Sequence, residues 1–452
     1  MQLLKCREPL APLCNTQIQA SGSDRTLYNA LLKQTLSPDM CQAFLEQNLA
    51  KAKSLPCDLP QSMDDLDAWA HQQQHKVGQA YAQYLARRQA GGPREHFPSK
   101  AHALEFLRRV APTKLVDGAW LYGVLKLWYE PSCFTLVRTY LEELGDGVAG
   151  QNHVLIYRKL LASTGCSDTH DLPDQYFLSG AVQLALGQMA ELYLPEVIGF
   201  NLGYEMLPLH LLISAYELQE LGIDPQYFRL HITIDNGANG HAQKAVQAVL
   251  DNAPVVGDRD HYYQRVKNGY RLNELGISST EVIQQLDLQQ SLIEMLKRKL
   301  PHAQHMHSDH CKLAGKSINQ WLCQPSGIED FIQALQNVGW VKRKQPVEQS
   351  RFWRMISGEH APMFGVFNEY ELQLIHVWIV AEPFNQGSYK KAQARSPSNA
   401  LAEEAVIVRR QLRSLNLDEK ARYLIELLAP AKHASTAGLE AAKLFNQLFL
   451  GR

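Results

Sequence analysis

Seven side chains able to bind a metal interrupt apolar stretches of this chain: Asp117, Glu143, His153, Glu205, His231, Asp235 and His241. The stretch 196–241 carries four of them. His231 and Asp235 are four residues apart, which on an α-helix puts them about 40° apart on one face and about 6 Å along the axis. Asn236-Gly237-Ala238-Asn239-Gly240 follows, poor helix material before His241. Singly, each upstream group has an ordinary explanation. Asp117 can pair with Lys114, Glu143 can be solvated like Glu142, and His153 can be a hydrogen-bonded core histidine. Taken together, the set is four carboxylates and three imidazoles among greasy residues. Burying it without a counter-charge carries a severe desolvation cost. Helical bundles build two-metal centres from such side chains on facing helices. Oxygen and nitrogen donors without thiolate suit iron, manganese or zinc, and four negative charges neutralise two divalent ions.

The elements that must position these groups read as helices. Apolar residues recur at spacings of three and four over 100–128, 131–148, 151–164, 173–195, 197–221, 226–251, 258–273 and 278–299. Further helices are expected at 27–36, 63–85, 326–340, 365–382, 398–415, 417–429 and 435–450. Strand-like alternation is nearly absent, so the fold class is all-α, without repeats or low-complexity linkers. Glu143 and His153 are ten residues apart, about 15 Å on a straight helix. Gly145, Gly147 and Gly150 lie between them and can bend the chain so that both point inward. Gly222-Ile223-Asp224-Pro225 reverses the chain before His231. Three regions are expected: a helical N-terminal extension over 1–95, a metal-carrying bundle over 96–300, and a helical C-terminal region over 301–452.

Other histidines weigh less. His71 and His75 sit at a chelating spacing on a polar helix face, where solvated surface is the plainer reading. His302, His305, His307, His310 and Cys311 match no common zinc-finger spacing and lack a second ligand pair. Phe352-Trp353-Arg354 and 360–365 read as core packing, with a pocket or interface as the alternative. The chain has 45 Lys and Arg against 46 Asp and Glu, which argues against a charge-driven nucleic-acid or membrane-surface role. Eight scattered cysteines without a CxxC pair read as reduced thiols. No secretory signal and no apolar window long enough to span a bilayer is evident, so a cytoplasmic location is expected.

The order and spacing of the seven groups resemble the heme-oxygenase-like diiron oxidases and oxygenases. The resemblance covers roughly residues 100–300. Glu143-x9-His153 and His231-x3-Asp235 fit the family pattern, and Asp117 stands 26 residues before Glu143, where many members carry glutamate. Glu205 stands 26 before His231. His241 departs, following Asp235 with five intervening residues where the best-known members have two. On a continuous helix that spacing turns it to another face, so the insert must bulge or unwind for His241 to ligate. His210 is the reserve candidate.

The resemblance implies a seven-helix bundle binding two Fe(II)/Fe(III) ions and no heme, with manganese or zinc as substitutes on purification. It implies O2 as co-substrate and an external electron donor; no flavin or NAD fingerprint is present. Glu143, His153, Glu205, His231 and Asp235 would carry the chemistry. The substrate would be a small, amino-acid-derived molecule, free or held on a carrier protein or peptide. It would be altered by N-oxygenation, C–H abstraction or oxidative bond cleavage. Asn201, Tyr204 and Asn236 are candidates to hold the imidazoles from behind. The flanks would complete the pocket or form a homodimer. Two alternatives stand: a ligand-binding or scaffold protein that kept the fold without redox activity, and a single-metal or cofactor-independent hydrolase of the thiaminase-like bundle, which would want a nucleophilic cysteine where Cys133 and Cys166 have no obvious base.

Overall fold

The computed structural model describes residues 22–234, 240–303, 306–380 and 400–451. Its elements run α1 (Asp24–Leu32), α2 (Pro38–Ala52), α3 (Leu66–Gln89), α4 (Lys100–Lys114), α5 (Phe134–Glu143), α6 (His153–Thr164), α7 (Leu178–Gln188), α8 (Leu194–Tyr204), α9 (Leu209–Glu220), α10 (Gln226–Ile234), α11 (His241–Asp251) and α12 (Arg259–Arg271). Then come α13 (Ser279–Gln284), α14 (Leu288–Ala303), α15 (Ile318–Trp321), α16 (Ile328–Asn337), α17 (Arg351–Ile356), α18 (Glu369–Val380), α19 (Ala400–Leu412), α20 (Leu417–Leu427) and α21 (Thr436–Leu450). Among the described residues the strands are two short antiparallel pieces, Lys312–Leu313 and Lys316–Ser317, at the histidine-rich break. No single described helix is long and apolar enough to cross a membrane.

Several expected helices are broken, each for a local reason. The expected helix 100–128 ends at Lys114, just after Pro112, and restarts as the 3-10 helix Ala119–Leu127. Gly118, at φ 77°, makes the corner, so Asp117 sits in a turn. The expected helix 197–221 divides at Glu205–Pro208, because proline leaves its predecessor poorly suited to the α region. The expected helix 226–251 is interrupted at Gly240, which is extended at ψ −176°, and a new helix starts at His241.

Helix α8 is clamped against α12, backbone to backbone. A Cβ on Gly199 would lie 1.9 Å from the Val266 carbonyl oxygen, and one on Gly269 would lie 2.0 Å from that of Glu196. Arg265 pairs with Glu196 across the same crossing at 2.6 Å. Gly199→Ala must push the helices apart and is expected to cost about 1–3 kcal/mol, measurable as a lower urea midpoint. A midpoint equal to that of the unaltered protein would disprove the close crossing.

Helix α4 is tied to the later chain through Glu105. This buried carboxylate accepts from Arg109 Nε at 2.6 Å and Ser291 Oγ at 3.0 Å, and also from the Tyr370 hydroxyl. Burial opposes its charge, but Arg108, Arg109 and Tyr370 outweigh that and hold its pKa below the ordinary 4.5. A lowered folded-state pKa gives stability that is present above the unfolded value and lost as pH falls through the folded one. Stability is therefore expected to fall below pH 4.5, and less steeply in Glu105→Gln. Urea titrations across that range check it, and identical slopes would refute the assignment.

Candidate metal centre

Each of the described candidate ligands is placed by a helix end. Glu143 closes α5 and His153 opens α6. Between them Gly145, Asp146 and Gly147 have φ of 64°, 50° and 81°, three successive left-handed residues that reverse the chain. Asn152 caps α6: its Oδ1 accepts from the Leu155 amide at 3.0 Å, while its Nδ2 donates to the Leu144 carbonyl at 3.2 Å. The start of one helix is thereby tied to the end of the other. Glu205 lies one residue beyond α8. His231 sits in the last turn of α10, and His241 is the first residue of α11. Because His241 opens a new helix after the extended Gly240, its direction is not set by the register of α10.

Asp117, Glu143, His153, Glu205, His231 and His241 are all between 1% and 7% exposed, so water does not solvate them. They fall into two groups. Asp117, Glu143, His153 and His231 offer ligand atoms within 4.8 Å of one another, as do Glu143, Glu205 and His241. Glu143 belongs to both. Asp235, Asn236 and His305 lie outside the described residues.

The protein fixes which nitrogen of two of the imidazoles, His231 and His241, faces inward. His231 Nδ1 lies 2.9 Å from the Tyr227 carbonyl, leaving Nε2 toward Asp117 Oδ2 at 3.1 Å. His241 Nε2 lies 2.8 Å from Glu142 and Nδ1 3.0 Å from Glu205 Oε2. Glu142 is therefore no solvated twin of Glu143. It also accepts from Lys244 at 2.6 and 2.7 Å and from Arg138 at 3.0 Å. Against burial, those three partners draw its pKa down to about 2. A carboxylate behind an imidazole is the usual partner of a metal-bound histidine.

Asp117 is held by two phenols, Tyr204 donating to Oδ1 at 3.0 Å and Tyr227 to Oδ2 at 2.6 Å. Lys114 does not pair with it directly. Its ammonium donates to the Tyr204 hydroxyl at 3.1 Å. Burial alone would neutralise Asp117, yet His153, His231 and Lys114 keep its pKa well below the ordinary carboxylate value. Burial, with Glu143 alongside, raises Glu205 despite His241. Burial disfavours a charged His153, but Glu143 and Asp117 raise it to about 10. His241 goes likewise to about 11 through Glu205, Glu142 and Glu143. Protons thus stand where a cation would balance the acids.

The donor set fits a metal. Glu143 Oε2, His153 Nδ1 and Glu205 Oε1 are buried without a hydrogen-bond partner. Glu143 Oε2 and His153 Nδ1 face each other at 2.5 Å. A buried polar atom left unpaired is costly; a cation in the first group would satisfy Glu143 Oε2 and His153 Nδ1, and one in the second would satisfy Glu205 Oε1.

Other candidates lie elsewhere. Asn201 Oδ1 accepts from Trp120 Nε1 at 2.9 Å and holds no imidazole; Tyr204 holds Asp117 instead. His210 belongs to neither group. Burial and the charges of Lys114 and His96 push it down to about 3. His71, His75, His302 and His310 are exposed. Cys133 and Cys166 are buried, and burial raises them to about 11 and 12, against a nucleophilic role. Phe352 is buried in the core. Glu142 and Tyr227 were missed. Tyr227 stands four before His231, and Glu142 adjoins Glu143, but neither spacing distinguishes a supporting group from an ordinary surface or core residue.

Residues 104–274 match the model of a family described as iron-containing redox enzymes, within the span over which the sequence pattern resembles the diiron oxidases. The all-α architecture is consistent with a heme-oxygenase-like fold. No curated protein and no solved structure matches the chain.

Proposed function

With residues 104–274 matching the iron-containing redox enzymes, we propose that this chain is an O2-activating non-heme diiron oxidase or oxygenase. Its substrate is a small, amino-acid-derived molecule, free or held on a carrier or peptide. The change it makes is N-oxygenation, C–H abstraction or oxidative bond cleavage. One observation carries this reading: Glu143 is shared by two buried donor groups, as a carboxylate bridging two ions would be. A single-ion site would not need the second group.

Glu143, with Asp117, His153 and His231 on one side and Glu205 and His241 on the other, would hold the pair. Two ferrous ions so held would supply electrons for reducing O2; an external donor restores them. The chain's own residues set the rest. Tyr204 and Tyr227 fix both oxygens of Asp117, so its orientation is set before any ligand arrives. Tyr227 and Glu142 hold His231 and His241 from behind. Lys114, half-buried, donates to the Tyr204 hydroxyl and adds its positive charge to the support of Asp117.

Anaerobic titration with Fe(II) is expected to fill two sites per chain, and exposure to O2 to give a transient visible absorption. Uptake below one ion per chain, with no O2-dependent change, would defeat this reading.

A further inference from the structure

We propose that α20 and α21, which lie outside residues 104–274, are a working part of the metal centre. They brace the turn that brings Glu143 and His153 together, with Asn446 as the key positioning residue. This inference rests on the cluster being a metal site.

Three successive left-handed residues, one of them Asp146 rather than glycine, do not hold their shape unaided. The C-terminal helices supply the restraint at several points. The Leu439 carbonyl lies where a Cβ on Gly147 would stand, 2.3 Å away, so α21 rests directly on the turn's backbone. Asn446 Nδ2 donates to Asp146 Oδ1 at 3.2 Å, and its Oδ1 accepts from Arg138 at 2.9 Å. Arg138 in turn donates to Asp146 at 2.5 Å and to Glu142 at 3.0 Å, and Glu142 meets His241. A continuous string thus runs from Asn446 through Arg138 and Glu142 to a candidate ligand.

A second contact stands beside it. The Tyr140 hydroxyl donates to the Leu428 carbonyl at 2.7 Å, fixing α5 to the end of α20. Asn152, the cap in front of His153, lies 3.3 Å from His433 Nδ1. His433 is buried, and burial with the charges of Arg158 and His153 pushes its pKa down to about 3. Its neutral ring can therefore accept the second hydrogen of the Asn152 amide, the first going to Leu144. Ligands must be held to within about half an ångström to work. A loosened turn would let Glu143 and His153 drift without unfolding the bundle.

The test uses the full chain and anaerobic equilibrium titration with Fe(II). Asn446→Ala is expected to weaken metal binding by about 10–100-fold, the usual effect of losing a group that supports a ligand, with the same number of ions bound at saturation. Gln447→Ala, exposed on the same helix, should bind as the unaltered protein does. Leu335→Ala in α16, a cavity variant remote from the turn, reports what lost stability alone does to binding. Asn446→Ala with unaltered affinity, or Leu335→Ala with an equal loss, would overturn the brace. If the unaltered protein takes up no metal, the centre itself fails. Hydrogen exchange at the Gly147 and Val148 amides then decides the brace: faster exchange in Asn446→Ala upholds it, and unchanged exchange removes it.

Discussion

Glu143→Gln is expected to reduce iron uptake from two ions per chain to one or fewer, with affinity lost by more than about 100-fold. Glutamine keeps the side chain's volume, so α5 and the turn after it should fold as before. What it removes is the negative charge shared by the two donor groups. Losing a group behind a ligand already costs about 10–100-fold, so losing a carboxylate common to both donor groups should cost more. Glu142→Gln is the informative neighbour. It keeps an acceptor for His241 but weakens the hold of Lys244 and Arg138, and should leave two ions bound more loosely. Metal analysis after gel filtration, with circular dichroism to check the fold, measures both. Glu143→Gln protein holding two irons as tightly as the unaltered chain would remove the shared-carboxylate geometry from the argument.

Glu217→Ala should destabilise the protein by about 3–5 kcal/mol. Glu217 is fully buried on α9, yet its partners are neutral. Its carboxylate accepts from the amides of Glu95, His96 and Phe97 at 2.5, 3.0 and 2.7 Å, and from the Tyr84 hydroxyl at 2.9 Å. It is thus a substitute for secondary structure in the loop that leads into α4. Alanine would strand the Phe97 amide and the Tyr84 hydroxyl in the core and leave the Glu95 and His96 amides at its edge without their acceptor. Glutamine should recover only part of the loss, since it turns an amide donor toward other donors. A urea midpoint within error of the unaltered protein would show that the loop finds other partners. Because α4 delivers the chain to Asp117, weaker metal binding should accompany the loss of stability.

How much of this was legible beforehand differs by kind of feature. Helix periodicity announced an all-α chain, because a buried stripe repeats every three to four residues whatever the helix packs against. Six of the seven candidate ligands lie within the described residues and converge, because polar side chains in apolar helices are too costly to be incidental. The resemblance supplied their order. Helix ends were less legible: α4 stops near Pro112 and Gly118, and α8 stops before Pro208, where local breakers interrupt a periodicity that continues through them.

The amino-acid sequence by itself determined which residues could bind a metal and that helices would carry them. Only the tertiary structure decided how they are held: that Asp117 answers to two tyrosines, that Glu142 stands behind His241, and that α21 lies on the Gly145–Gly147 turn. The physical reason is sequence separation. Side-chain type and helical period are local, whereas Asn446 and Asp146 meet 300 residues apart, at a distance set by packing and by no pattern within either segment.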